Sequence, residues 1–210
     1  MPNASHSRRL ICTALGLGLA LVACSKGSPK STGPTPAPPS GSSQVERRAV
    51  AVLAGGCFWG MEEILREVPG VLQTDVGYTG GSVERPSYED VSSGRSGHAE
   101  AVRVVYDESV LSYRQLLANW FFRMHDPTTR NRQGNDVGTQ YRSAIFVTTP
   151  SQRQVAESVI RELDKSGKFG APIVTSVEEA GTFTPAEAYH QDYLQKNPGG
   201  YTCHYLRDWT

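Results

Sequence analysis

A cysteine preceded by two glycines and followed by two aromatic residues is the most chemically suggestive feature of this 210-residue sequence. Cys57 lies where a short apolar run, residues 48–55, gives way to apolar residues spaced three and four apart. The run predicts a buried strand and the spacing predicts a helix, so we expect Cys57 at a helix N-terminus. Unpaired N–H groups there favour a thiolate, the nucleophilic form of cysteine. The pattern predicts a reactive thiol, and the alternative is a buried structural cysteine.

The two aromatic residues that follow the cysteine, Phe58 and Trp59, are adjacent in the chain. Neighbouring residues on a helix point in different directions, so both side chains cannot enter the core of one amphipathic helix. At least one ring is therefore expected to be exposed, beside the cysteine. Such a ring could form the wall of a site for an apolar ligand.

A glutamate occupies an apolar face of another predicted strand. Residues 98–107 alternate in polarity, which places Glu100 on the same face as Val102 and Val104. Burial among apolar groups raises the pKa of a carboxyl, so Glu100 could keep its proton near pH 7 and act as a general acid. The alternative is a solvated glutamate on the strand.

The cysteine count excludes a disulfide scaffold and offers one partner for Cys57. Cys12 and Cys24 precede the predicted domain, and Cys203 lies in a glycine-rich segment near the C-terminus. No C-x-x-C pair indicates structural zinc, and the histidines lack metal-ligand spacing, so we expect no metal site. The two glycines before Cys203 give that segment freedom to move.

The N-terminal residues are typical of an export signal. Arg8 and Arg9 precede an uncharged run, residues 10–23, that is too short to span a bilayer. The run ends in Leu-Val-Ala before Cys24, which resembles the lipobox of bacterial lipoproteins. We therefore predict a signal peptide at residues 1–23 and lipidation of Cys24. Ordinary secretion and twin-arginine export remain the alternatives.

A Pro/Ser/Gly-rich segment follows the predicted lipidation site. Residues 25–44 contain five prolines, six serines and no aromatic residue, so we interpret residues 24–45 as a lipidated, disordered tether. Ser25 stands where an aspartate would indicate inner-membrane retention. By analogy with enteric lipoproteins, the sequence predicts an exported lipoprotein on the periplasmic face of the outer membrane.

The remainder, residues 46–210, is predicted to be one catalytic domain of the α+β class. From residue 48 to residue 148 the predicted order is β-α-β-β-α-β, the ferredoxin-like split β-α-β arrangement. A further α-β-α and an irregular C-terminal tail follow. In the α-β-α, residues 172–178 are predicted as the strand, and the last helix is predicted to open at Thr184 through a Thr-Pro-Ala-Glu capping box.

The net charge argues against nucleic acid as a partner. Lys plus Arg and Asp plus Glu are both 21, so the formal net charge is zero. Without a basic excess the chain has little to neutralise phosphates.

Several blocks of residues together resemble the methionine sulfoxide reductase A family over residues 48–208. The matching blocks are residues 56–59 (GCFW), 76–78 (VGY), 87–91 (SYEDV), 97–100 (GHAE), 125–128 (HDPT), 131–143 (NRQGNDVGTQYRS), 190–194 (HQDYL) and 200–203 (GYTC). GCFW alone is moderately specific, and GNDVGTQYRS behind it makes the resemblance very specific.

The resemblance implies a role for each matching residue. Cys57 would attack the sulfur of the S-epimer of methionine sulfoxide, and Glu100 would protonate the departing oxygen. The other implied site residues are Tyr88 and Tyr141 as hydrogen-bond donors to that oxygen, Phe58 and Trp59 around the S-methyl group, and Asp136 on the polar side of the pocket.

The resemblance also implies how the reaction ends. The products would be methionine and a sulfenic acid on Cys57, which would condense with Cys203 to a disulfide. Many family members carry two cysteines in a longer tail, whereas this chain has one. A thioredoxin or thioredoxin-like dithiol would reduce the disulfide, with no cofactor, in a monomeric enzyme that repairs oxidised envelope proteins.

Two other classes of function remain open at the level of sequence. One is a non-enzymatic lipoprotein that uses a degenerate reductase fold for binding. The other is a cysteine hydrolase, which needs a histidine base and an orienting Asn or Asp beside Cys57.

Overall fold

The computed structural model describes residues 47–209. The predictions for the signal peptide, for lipidation of Cys24 and for the tether concern residues 1–45 and lie outside the described residues. Within residues 47–209, no helix is long and apolar enough to cross a bilayer.

A six-stranded mixed sheet forms the centre of the domain. Its strands are β1 (Arg48–Gly55), β2 (Val71–Thr79), β3 (Ala99–Asp107), β6 (Ser143–Val147), β7 (Ser176–Glu179) and β8 (Thr184–Pro185). They lie in the order β7-β6-β1-β3-β2-β8, and only the β6–β7 pair is parallel. Two further short strands, β4 (Arg132–Gln133) and β5 (Asp136–Val137), pair separately as a hairpin.

Six short or medium helices are described, five of them between strands along the chain and the last, α6, after β8. They are α1 (Phe58–Arg66), α2 (Tyr88–Ser92), α3 (Tyr113–Gln115), α4 (Phe122–Met124), α5 (Pro150–Ser166) and α6 (Tyr193–Lys196). A π-helical segment, Leu116–Phe121, joins α3 to α4, and a short 3₁₀ helix, Thr139–Tyr141, precedes β6. The segment from α3 to α4 begins at Ser112, whose side chain accepts a hydrogen bond from the Gln115 N–H as a helix cap.

The predicted α+β class and the split β-α-β core are confirmed. The central four strands, β6-β1-β3-β2, are the first four long strands of the sequence in the order fourth, first, third, second. Helix α1 connects β1 to β2, and the segment from α3 to α4 connects β3 towards β6. This arrangement brings the end of β1 and the start of β3 to the same edge of the domain, where the cysteine and the glutamate lie.

From Ala51 onward, strand β1 is buried on both faces, which explains the nearly continuous apolar sequence there. Ala51 and Leu53 face the main hydrophobic core together with the apolar side of α1. Val52 and Ala54 face a smaller apolar cluster on the other side of the sheet. A strand held on both faces provides a rigid support for the residues that follow it.

The predicted helix from Thr184 is wrong over most of its length. Thr184 and Pro185 instead form β8, which pairs with β2, and the only helix in this region is the four-residue α6. The glutamate of the supposed capping box, Glu187, accepts hydrogen bonds from the Tyr88 N–H and the Tyr78 hydroxyl, both at 2.8 Å. These tertiary bonds occupy the carboxylate that would have capped the helix. The strand predicted at residues 172–178 is observed as the shorter β7, Ser176–Glu179, and α2 lies between β2 and β3.

Candidate active site

Cys57 occupies the junction between β1 and α1, as predicted. It is the N-cap residue of α1, and its side chain makes no capping hydrogen bond. Gly56, immediately before it, has a φ of 111°, a backbone conformation that favours glycine and turns the chain from strand to helix. The Cys57 side chain is only 6% exposed. The thiol therefore lies at a fixed point at the bottom of a pocket.

Glu100 lies opposite the start of α1, on β3. Its side chain is 2% exposed, and its Oε2 accepts a hydrogen bond from the Phe58 N–H at 3.1 Å. Burial raises the pKa of Glu100 to about 8, and the bond from Phe58 only partly opposes that effect. The carboxyl is therefore mostly protonated at pH 7, as the apolar face of the strand predicted.

The expectation that the helix N-terminus lowers the pKa of Cys57 is wrong. Burial raises the pKa of the thiol, and the nearby Glu100 carboxyl raises it further, whereas the Trp59 N–H at the helix start lowers it only in part. Desolvation of a buried thiolate outweighs the stabilising effect of the N-terminus of a nine-residue helix. Cys57 and Glu100 consequently both carry a proton at neutral pH.

Two aromatic side chains form one wall of the pocket. Phe58 is 1% exposed, and Trp59 is partly buried beside it, which agrees with the expectation that only one ring enters the core. Trp59 stacks on Tyr193 with 3.7 Å between ring centroids, and its Nε1–H donates to His190 Nδ1 at 3.1 Å. These contacts with the segment around α6 fix the orientation of the indole.

All the predicted catalytic and substrate-binding residues except Cys203 meet in one cavity of about 190 Å³. It is lined by Cys57, Phe58, Trp59, Tyr88, Glu100, Asp136, Tyr141 and Tyr201. Burial and the Glu100 charge raise the pKa of both Tyr88 and Tyr141, so both phenols remain hydrogen-bond donors at neutral pH. The cavity combines a thiol, a protonated carboxyl and three phenols with an aromatic wall.

The C-terminal tail brings Cys203 to the edge of this cavity. The Cys203 sulfur lies 3.4 Å from Asp136 Oδ2, which also accepts the Tyr201 hydroxyl at 3.1 Å. The backbone N–H of Cys57 is directed at the same sulfur and lowers its pKa, although burial and Asp136 together raise that pKa to about 11. Both cysteines are free thiols. Cys203 is thus held beside the residue with which it is predicted to form a disulfide.

Three site residues were missed as functional residues by sequence reasoning. Tyr201 lines the cavity, and His190 and Tyr193 hold Trp59. All three lie within the blocks that carry the family resemblance. That resemblance was the one sequence signal for their role, because the segments around them have no clear periodicity.

A larger cavity of about 500 Å³ lies elsewhere, between the loop at residues 80–85 and residues 178–184. None of the predicted site residues lines it. The chemistry is therefore concentrated in the smaller cavity. Within residues 47–209, no group of three or more His, Cys, Asp or Glu side chains is arranged to hold a metal ion.

Comparison with known proteins agrees with this geometry. The model of the family described as peptide methionine sulfoxide reductase matches residues 49–209. The chain belongs to this family. A family member from Methanoculleus marisnigri, peptide methionine sulfoxide reductase MsrA, is 57% identical over 150 residues, which is 71% of this chain and 91% of that protein.

Solved structures of the peptide methionine sulfoxide reductase family share the fold. The reduced form of Mxr1 from Saccharomyces cerevisiae matches with a TM-score of 0.72 at 38% identity, covering 79% of this chain and 94% of that chain. Mxr1 in complex with Trx2 matches with a TM-score of 0.52 at 27% identity, covering 79% of this chain and 93% of that chain.

Proposed function

We propose that the protein reduces the S-epimer of methionine sulfoxide, free or within proteins, to methionine. The observation that carries this proposal is the shared cavity of Cys57 and Glu100, in which a buried carboxyl with a pKa of about 8 stands opposite a thiol. Sulfoxide oxygen is a poor leaving group unless it is protonated. A neutral acid beside a sulfur nucleophile is the pair of groups that the reaction needs.

The chemical step balances with the groups in the cavity. The Cys57 sulfur attacks the sulfoxide sulfur while Glu100 transfers its proton to the sulfoxide oxygen. The hydroxyl so formed then passes from the substrate sulfur to the Cys57 sulfur, as both the sulfur–oxygen bond of the substrate and the transient bond between the two sulfurs break. The products are the thioether and a sulfenic acid on Cys57, and the thiol proton of Cys57 restores the Glu100 carboxyl. The substrate sulfur is reduced and the cysteine sulfur is oxidised by two electrons.

The remaining side chains of the cavity would orient the substrate. Phe58 and Trp59 offer an apolar wall for the S-methyl group, while Tyr88 and Tyr141 provide hydroxyl donors for the oxygen. Asp136 supports the polar side, where it already accepts the Tyr201 hydroxyl. A fixed apolar wall opposite fixed donors favours one configuration at the sulfoxide sulfur, which is the basis for the proposed S-epimer specificity.

The second half of the cycle would use Cys203. Its thiol condenses with the sulfenic acid of Cys57 to form a disulfide and water, which an external dithiol then reduces. The position of Cys203 beside the Cys57 N–H supports this assignment. Thioredoxin or a thioredoxin-like domain is the proposed reductant, a proposal supported by the complex of the related yeast Mxr1 with Trx2.

The two competing functions are less well supported. A degenerate binding protein has no need for the thiol, the neutral carboxyl and the phenols in one cavity. In a cysteine hydrolase a histidine would activate the nucleophile, whereas the side chains that act most strongly on Cys57 are the carboxyls of Glu100 and Asp136.

An epimer assay tests the proposal. We expect the purified domain, supplied with a small dithiol, to convert the S-epimer of a blocked methionine sulfoxide to the thioether and to leave the R-epimer unchanged. Chromatographic separation of the two epimers and the thioether product measures the conversion of each epimer. Equal conversion of the epimers would contradict the assigned pocket, and conversion of neither would support the binding or hydrolase alternatives.

We further propose that the protein is a monomeric lipoprotein of the cell envelope, anchored through Cys24 and acting on oxidised envelope proteins. Residues 8–24 support this proposal, because two arginines are followed by an uncharged apolar run that ends in Leu-Val-Ala before Cys24. Ser25 favours the outer membrane. The two or more acyl chains of a lipidated cysteine suffice for stable anchoring.

Cys24→Ala should release the domain from the membrane fraction, and mass spectrometry of the mature N-terminus should find acyl chains only in the wild type. An unmodified Cys24 thiol would refute the lipoprotein assignment.

A further inference from the structure

The residue that follows Cys203, His204, is buried against the strand that leads to Cys57. Its ring is 7% exposed, and its Nε2 lies 2.9 Å from the carbonyl oxygen of Gly55. A carbonyl oxygen can only accept a hydrogen bond, so Nε2 must carry the hydrogen. The backbone of β1 thereby fixes which nitrogen of the neutral imidazole is protonated.

The other ring nitrogen of His204 is then an unprotonated acceptor. Nδ1 lies 3.6 Å from the Cys203 sulfur, within the range of an S–H···N hydrogen bond. The backbone N–H of His204 also donates to Thr202 Oγ1 at 3.1 Å, which holds this turn of the tail in place. A lone pair on an imidazole nitrogen thus lies within hydrogen-bond range of the resolving thiol, which also has Asp136 Oδ2 within reach as an acceptor at 3.4 Å.

The surroundings keep this imidazole neutral. Burial lowers the pKa of His204, the hydrogen bond to Gly55 and the Asp136 carboxylate oppose that effect, and Arg207 adds to it. The nearby buried His125, whose own pKa burial lowers to about 3, is neutral as well. His204 is therefore available as a base throughout the neutral pH range.

We propose that His204 is the general base of the resolving step, in which it removes the thiol proton of Cys203. This assignment rests on the proposed reductase function and deepens it, because it concerns the second reaction at the same site.

The resolving step is a proton transfer followed by a displacement at the sulfenic sulfur. His204 Nδ1 accepts the Cys203 proton, and the resulting thiolate attacks the sulfenic sulfur of Cys57. The new S–S bond forms as the S–O bond breaks, and the hydroxide that leaves takes the proton from the imidazolium to depart as water. The sulfenic sulfur is reduced by one electron and the Cys203 sulfur is oxidised by one.

A base is needed because the resolving thiol is a weak acid. With a pKa of about 11, only about one Cys203 in ten thousand is a thiolate at pH 7. Asp136 Oδ2, which also accepts the Tyr201 hydroxyl, is the other acceptor within reach of the Cys203 thiol, at 3.4 Å. Carboxylates are weaker bases than imidazoles in general, so the imidazole is the better proton acceptor.

The pH dependence of the resolving step in the unmodified enzyme tests the proposal. Reduced enzyme is mixed with excess S-epimer sulfoxide and no reductant, and Cys57–Cys203 disulfide formation is followed by rapid quench and mass spectrometry. With His204 as base, the rate between pH 6.5 and pH 7.5 should change by no more than about twofold, because the imidazole is already neutral. Without a base the rate follows the thiolate and should rise about tenfold per pH unit. That rise would overturn the assignment. The window lies below the pKa of Glu100, about 8, so the acid stays largely protonated.

A variant provides the second measurement. In His204→Gln, the side-chain amide can still donate to the Gly55 oxygen, but no basic nitrogen remains. Disulfide formation should slow by about 10²-fold, at the lower end of general-base effects, and should now rise about tenfold per pH unit. A wild-type rate in this variant would overturn the proposal. A purely structural displacement of the tail would lower the rate and leave its pH dependence flat, which would also overturn it.

The matched control is His98→Gln, the same substitution at another buried histidine. The His98 ring makes hydrogen bonds only with loop backbone: Nδ1 accepts from the Gly81 N–H, and Nε2 lies 2.9 Å from the Val83 carbonyl oxygen. The substitution should therefore leave the rate of the resolving step unchanged. The release of one methionine per enzyme without reductant tests the proposed reductase function separately from the role of His204. Its absence in the wild type contradicts the proposed function, whereas its presence with a thiolate-like pH profile contradicts only the role of His204.

Discussion

The two thiols of the domain lie a short distance apart in very different surroundings. Cys57 is 6% exposed at the junction of a doubly covered strand with a helix, whereas Cys203 lies in an irregular tail between exposed tyrosines. Burial raises the pKa of both thiols. Their partners differ, because a protonated carboxyl faces Cys57 and an unprotonated imidazole nitrogen faces Cys203.

The difference matches two kinds of chemistry. Reduction of a sulfoxide needs an acid and a preformed pocket, and rigid elements supply both. Formation of a disulfide needs a thiolate and a sulfur that can move, since the two sulfurs must come to a bonding distance of about 2 Å. We therefore expect loss of Cys57 or Glu100 to stop the first step, and changes at Cys203 or in the packing of Thr202 and His204 to act on the second.

The largest effect should come from removing the first thiol. Cys57→Ser should lower methionine formation by at least about a thousandfold, because a serine hydroxyl at this position is not ionised and is a poor nucleophile towards sulfur. Product formation with a small dithiol and circular dichroism of the same sample measure activity and folding. More than about a thousandth of the wild-type rate in a folded sample would remove Cys57 from the mechanism.

Removing the second thiol should separate the two steps. Cys203→Ser should release about one methionine per enzyme at the wild-type rate and then stall with thioredoxin, because the sulfenic acid has no internal partner. A reagent selective for sulfenic acids should label Cys57 in the variant but not in the wild type, which ends as a disulfide. Turnover at the wild-type rate with thioredoxin would show that Cys57 works alone.

The next prediction concerns Glu100, the acid of the rigid site around Cys57. Glu100→Gln keeps the shape of the side chain but has no transferable proton, so sulfenic acid formation should slow by roughly 10²- to 10⁴-fold. In the wild type the acid form of Glu100 is present below its pKa of about 8 and is lost above it. The rate of the first step should therefore fall as the pH rises through about 8. This alkaline decline should be absent in Glu100→Gln, and its persistence there would assign the proton to another group.

The same contrast explains what the sequence could and could not predict. The strand before Cys57 and the strand that carries Glu100 have clear periodicity, and their placement follows from local pattern and the burial of apolar faces. Glu187 was misassigned as a helix cap because its true partners, Tyr88 and Tyr78, lie 99 and 109 residues away in the chain. Local patterns carry no information about such bonds.

The tail shows this limit most clearly. His204 and Tyr201 lie in a segment without regular structure, so no periodicity indicates which way either side chain points. The raised pKa of Cys57 was missed for a related reason. A helix N-terminus can be recognised from sequence, but the depth of burial that outweighs it depends on the packing of β3 and the tail around the thiol.

The smallest effect we predict concerns the surface of α1 on which the tail packs. Gly60 has an ordinary helical backbone, and an added Cβ would overlap Thr202 Oγ1 and lie 2.8 Å from His204 Nδ1. Gly60→Ala should strengthen the helix locally, since alanine is favoured over glycine in helices by about 1 kcal/mol, and at the same time displace the tail. A displacement of about 1 Å can cost up to ~10²-fold in rate, so disulfide formation should slow by about 10- to 100-fold.

The first step should be untouched in Gly60→Ala, because the tail supplies neither its nucleophile nor its acid, and the added Cβ meets Thr202 and His204 rather than Tyr201, the tail residue that lines the cavity. Rapid-quench measurement of methionine and of the Cys57–Cys203 disulfide in one reaction gives both rates. Gly181→Ala is the matched control, since its Cβ would meet no atom within 4 Å and both rates should stay at the wild-type values. Equal slowing of both steps in Gly60→Ala would mean that the tail also shapes the sulfoxide pocket, and the division between a rigid first site and a movable second one would fail.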